Sequence, residues 1–183
     1  MISNLTMIAV RPEEVWLSWL KSEWDSSRFD HVRDTIIDPF KNDEIVLKTL
    51  RLEGKRHFLI DKIPDDTTWY KCNINSHDLK WSSIIPSKEW TERFPDSIML
   101  GNAVTKLKLD KNLHNKINLI IGNEHKTNFE LVLLSKTGSD FYTILEGNHR
   151  ALALMKIANK VIDVYVGFSP NMDKSEWYSK KYV

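Results

Sequence analysis

This sequence predicts an α+β domain with a mainly helical N-terminal part, and three observations predict it. Four runs rich in β-branched and aromatic residues, Trp69 to Ile74, Phe129 to Leu134, Phe141 to Leu145 and Val161 to Phe168, read as strands. Helix-start signals stand apart from them: Pro12 followed by Glu13 and Glu14, Asn42 with Asp43, and Ser87 before Lys88-Glu89-Trp90. Between the last two strands lie Ala151, Leu152, Ala153, Leu154 and Met155, all strong helix formers.

Taken in order, the first helix runs from about Pro12 to Trp24. Val15, Trp16, Trp19 and Leu20 share one of its faces, either packing aromatics on the core or presenting Trp16 and Trp19 to a protein partner. The stretch from Asp25 to Pro39 is polar and irregular. Asn42 caps a second helix through about Leu52, with Gly54 as its left-handed stop, and Arg56 to Ile60 reads as a weak strand. Pro64-Asp65-Asp66-Thr67 is a turn whose carboxylates cap their own backbone. In Trp69 to Ile74, Tyr70, Cys72 and Ile74 alternate with polar neighbours, which makes Cys72 an inward-facing small hydrophobe.

Ser87 opens a short helix that Phe94-Pro95-Asp96 ends. Ile98 to Leu109 and Leu113 to Ile121 form a helical pair, although Asn112 to Ile121 also tolerates a strand. Lys106, Lys108, Lys111, His114 and Lys116 make a local basic cluster, read as a solvated surface or a rim for a polyanion. Lys136-Thr137-Gly138-Ser139 turns the hairpin between the second and third strands. After the last strand, Trp177, Tyr178 and Tyr182 make an aromatic tail that docks on the core or binds a partner. These elements divide into residues 1–65 as an extension packed on the core, 66–168 as the core, and 169–183 as the tail.

At 183 residues, with 42% hydrophobic and 28% charged content, the chain fits one compact domain. The run Met1-Ile2-Ser3-Asn4-Leu5-Thr6 is not a secretory leader, no apolar run approaches a membrane span, and a single cysteine suits a reducing compartment; the expected location is cytoplasmic. Net charge is +1. Residues 1–100 hold 14 Lys and Arg against 17 Asp and Glu, and residues 101–183 hold 12 against 8. That mild excess suits an anionic ligand and falls short of a basic DNA-binding stripe. The six histidines lack close ligand spacing, and no Walker loop, H-E-x-x-H helix or nucleophile elbow is present.

The most informative residues are Glu146, Gly147, Asn148, His149 and Arg150, where the third strand stops and a helix begins. Gly147 leaves the backbone uncovered, Asn148 is a preferred cap, and the unpaired N–H groups of the first turn gather beside His149 and Arg150. A cation in the first turn opposes the helix dipole and is better placed if an anion sits there.

This E-G-N-H-R box, between a hairpin strand and a helix, resembles the ParB/sulfiredoxin superfamily, over roughly Trp69 to Phe168. The resemblance implies a mixed sheet with packed helices and a box that holds nucleotide phosphates. By that resemblance, Gly147, Asn148, His149 and Arg150 bind a nucleotide or another phosphorylated small molecule, with phosphate transfer or hydrolysis as the associated chemistry. Arg150 would grip the phosphate, Asn148 would cap and contact it, and His149 would donate to it or shuttle a proton. Glu146 would serve as base or hold a magnesium ion. Asn148 stands where sulfiredoxins have their catalytic cysteine, which argues against that chemistry, since an amide is no thiolate nucleophile. Two alternatives accompany this reading: a non-catalytic interaction module working through Trp16/Trp19 or Trp177, and a ParB-like nuclease or DNA-binding accessory.

Overall fold

The computed structural model describes residues 6–157 and 159–179. Its centre is a six-stranded mixed sheet. In chain order the elements are β1 (Ile8–Val10), α1 (Pro12–Glu23), α2 (Asp43–Lys48), α3 (His57–Ile60), β2 (Thr68–Asn75), β3 (Ser83–Ile84), α4 (Lys88–Arg93), α5 (Leu100–Lys106), α6 (Lys111–Gly122), β4 (Leu131–Lys136), β5 (Tyr142–Glu146), α7 (Asn148–Leu154) and β6 (Val161–Ser169). Across the sheet the order is β1-β2-β6-β4-β5-β3. Strands β4 and β5 form the hairpin, and β6 returns through α7 to lie parallel to β4. A return in parallel needs a crossover, and the helix-forming run after Asn148 supplies it.

Strand β2 shows why the sheet is buried on both faces. Trp69 meets Trp16 of α1 edge-on, with ring centroids 5.5 Å apart. Cys72 and Ile74 point the other way and are also buried, opposite Val164 and Ile162 of β6. One hydrophobic cluster joins Val15, Trp19 and Leu20 of α1 to the sheet, to the helices and to Tyr178 of the tail. The tail docks: Trp177 Nε1 donates to the Phe58 carbonyl at 3.2 Å, and the Ser179 N–H donates to Thr143 Oγ1 at 3.2 Å. Tyr182 lies outside the described residues.

Several expectations need correction. Arg56 to Ile60 contains a helical turn, α3, because its apolar residues Leu59 and Ile60 are adjacent and bury together against the core. Gly54 does end the helical run, as expected, but at φ −73°, outside the left-handed region; a Cβ there would lie 2.8 Å from Phe29 Cζ and 2.8 Å from the Leu50 carbonyl oxygen, and close approach is what demands glycine. The expected helix over Leu113 to Ile121 holds against its strand alternative; Asp110 caps it, its carboxylate accepting from the Leu113 N–H at 2.9 Å. The extension also contributes an edge strand, β1, that sequence patterning did not reveal; only three residues long, it pairs with β2.

Candidate functional site

Strand β5 delivers Glu146 to the end of the sheet, and the chain turns there through Gly147 at φ +92°. Only glycine adopts that conformation at low cost. Space enforces the choice as well, since a Cβ on Gly147 would lie 2.4 Å from Leu131 Cδ2 and about van der Waals distance or less from the Arg150 guanidinium. The Gly147 carbonyl accepts from the Ala151 N–H at 2.8 Å, so Gly147 is the cap of α7. Asn148 is therefore not the cap. It is the first helical residue, and its Oδ1 accepts from the Ile85 N–H at 3.2 Å, fastening the turn to the segment after β3. With seven residues, α7 is barely two turns long, and its dipole is correspondingly weak.

Charge at the site is carried by side chains. Arg150 Nη2 donates to Glu146 in an ion pair whose side chains are only 12% and 11% exposed. Burial raises the Glu146 carboxyl above the usual range, with Arg150 opposing and Glu23 reinforcing the rise. His149 rests beside Trp90, ring centroids 5.0 Å apart. Its pKa is lowered to about 3 by burial and by the positive charges of Lys116, Arg93 and Arg150, which makes it a neutral imidazole at neutral pH. His149 can thus offer a hydrogen bond but no cationic grip, and a proton shuttle near pH 7 runs against its environment.

A cleft of about 590 Å³ opens beside this turn, and residues 146–150 all line it. Its opposite wall comes from the N-terminal extension: Trp19, Glu23, Arg28 and Arg56. Lys116 of α6 joins them, and so do Lys88 and Glu89 of α4. Five cations therefore face three carboxylates. Arg56 Nε donates to Glu23 at 3.0 Å, and Arg28 Nε stands 3.7 Å from the same carboxylate. The half-exposed ring of Phe58, backed edge-on by Trp177, sits at the rim.

Residues 146–150 are contiguous in sequence and line the cleft together, whereas the wall from the extension carries no such local signal. Arg28 lies in a stretch without periodicity and Arg56 in one misread as strand, so no local signal marked either. Of the basic cluster only Lys116 lines the cleft, and Lys106 pairs with Asp96 instead. Trp16 and Trp19, read as core aromatics or as a partner-binding face, are 8% and 1% exposed and pack within this chain. Cys72 is buried and its thiol is pushed up to about 11 by that burial, consistent with a packing role. Among the described residues no group of three His, Cys, Asp or Glu side chains converges as a metal site, and no helix is long and apolar enough to cross a membrane. Glu23 and Glu146 are both engaged by arginines, an arrangement that fits a magnesium ion poorly. Compared with protein-family models, with curated proteins and with solved structures, the chain matches none.

Proposed function

We propose that this protein binds a phosphorylated small molecule, a nucleotide among the candidates, in the cleft between the Gly147–Arg150 turn and the N-terminal extension. One observation carries the reading: five cationic side chains and three carboxylates converge on a concave site of ligand size. The phosphate would lie against His149, whose neutral ring donates one hydrogen bond, with Lys116 and the arginines supplying charge. Arg150 would contribute while still paired with Glu146, and Asn148 through its main chain, since its side-chain oxygen is committed to Ile85.

The order of the hairpin, the box, α7 and β6 supports a ParB/sulfiredoxin-type arrangement for the core. Binding is the activity proposed. Glu146 as a base would first have to leave Arg150, and Glu23 and Glu89, the other carboxylates of the cleft, stand against Arg56 and Arg93, so phosphate transfer is secondary. A thermal-melt series with inorganic phosphate, ATP, CTP and GTP tests the reading. A ligand at a hundredfold its Kd adds about 2.7 kcal/mol, equivalent to a rise of about 5–11 °C for a chain of this size. Melts unmoved by every phosphate compound would contradict it.

A further inference from the structure

We propose that Arg28, Arg56 and Trp19 form a second anionic subsite on the extension wall of the cleft, so that the preferred ligand carries two anionic groups. The proposal rests on the reading of the cleft as a phosphate site and adds residues that the box does not contain. Its first support is a charge imbalance fixed by geometry. Arg56 donates to Glu23 through Nε and Nη2, and Arg28 leans on that same carboxylate from 3.7 Å. Two guanidiniums thus share one counter-charge in a place where Glu23 is only 13% exposed and Arg56 16%. Burial and the neighbouring Arg56 both depress the Arg28 pKa, with Glu23 opposing them, as expected for a cation short of a partner. Arg28 has its only further hydrogen bond among the described residues at the Gly54 carbonyl, 3.3 Å away.

The second support is independent of charge. Trp19 lines the same cleft, is 1% exposed, and its indole N–H meets no acceptor among the described residues. Buried donors are almost always satisfied, and this one, enclosed within a residue of the cleft wall, would find an oxygen atom from outside the chain by a small turn of the ring toward the cleft. The Arg56 guanidinium lies 5.9 Å from the Trp19 ring centroid, so the orphan donor's ring stands beside one of the two guanidiniums that share Glu23. Two cations and a neutral N–H are the complement of a phosphate or carboxylate oxygen. Glu146 and Arg150, which line the same cleft, form a one-to-one ion pair and sense the charges of Glu23 and Arg56 nearby. A ligand with two linked anionic groups would answer both walls at once.

Calorimetric titration of the whole protein with inorganic phosphate and with pyrophosphate, at constant ionic strength, tests this. The wild type should bind pyrophosphate about 10-fold or more tighter than phosphate, the worth of one added charge-assisted contact. Arg28→Gln should bring that ratio close to one by weakening pyrophosphate far more than phosphate, and Arg28→Lys should preserve most of it. Trp19→Phe keeps an aromatic ring in the core and deletes the N–H, and should reduce the ratio by about 3-fold. An unchanged ratio in both Arg28→Gln and Trp19→Phe overturns the second subsite. So does a wild type that binds phosphate, with Lys116→Gln weakening it, but shows no preference for pyrophosphate; in that case the phosphate reading stands alone. No binding of either anion overturns both.

Discussion

Two neighbouring arginine–glutamate clusters line one cleft, and they are built on different balances. On the box side a single guanidinium, Arg150, meets a single carboxylate, Glu146, four residues earlier, and both are almost enclosed. On the extension side two guanidiniums, Arg28 and Arg56, meet Glu23 alone. The first arrangement closes on itself and braces the Gly147 turn, where the Arg150 Nη2 and Nε atoms lie 3.1 and 3.3 Å from the position a Cβ would take. The second leaves positive charge over. The contrast teaches that an arginine in a motif can be spoken for by its own neighbour, while the charge that attracts a ligand arrives from distant sequence.

The comparison can be broken most severely at the turn itself. Gly147→Ala forces a side chain into φ +92° and against Leu131, a combined cost of about 3–4 kcal/mol from left-handed strain and overpacking. Denaturant melts should show that loss without a change in m-value. A stability equal to wild type would mean the turn is free to relax.

Next in size, Arg150→Met leaves Glu146 buried without its cation and should cost about 3 kcal/mol at pH 7. The loss should shrink as pH falls, because burial already inclines Glu146 to protonate. Glu146→Leu combined with Arg150→Met should recover most of it, and the double variant separates a closed structural pair from two independent contacts. Simple additivity would contradict the pairing.

The smallest of these effects concerns His149. In the folded protein its pKa is near 3, whereas an unfolded histidine titrates near 6.5, so between those values the unfolded chain binds a proton that the folded one refuses. Stability is untouched above about pH 6.5 and is lost as pH falls from there toward about 3. Glu146, whose carboxyl is raised, has the opposite slope, and the two partly cancel in the wild type. Between pH 7 and pH 5, His149→Gln should therefore lose about 2 kcal/mol less stability than the wild type. Parallel curves would place His149 in a wetter setting than its contact with Trp90 indicates.

How much of this was legible in sequence depended on how local the signal was. The hairpin, the box and α7 lie within a continuous stretch, where turn residues, β-formers and helix formers each point to one conformation, and the sheet realised them nearly residue for residue. Even there the cap was misassigned: Asn148 has the better capping side chain, but the steric demand at Gly147 decided the turn, and Asn148 found its partner 63 residues away at Ile85. The extension was harder to read because its reasons are tertiary. Ile8–Val10 is a strand only because β2 offers it an edge, and Gly54 is glycine because of Phe29. Arg56 reaches Glu23 from 33 residues away, and Arg28, though only five residues on, lies past the end of α1 where no helical periodicity runs.

The most direct test of the central claim is a calorimetric titration of inorganic phosphate into wild type and Glu146→Gln. Glutamine keeps the shape and an acceptor for Arg150 but removes the competing negative charge, so phosphate should bind the wild type in an enthalpically visible way and the variant about 10-fold more tightly. Absence of binding to both proteins, or an affinity unaltered by the substitution, would contradict the account that the Gly147–Arg150 turn and its cleft form an anion site.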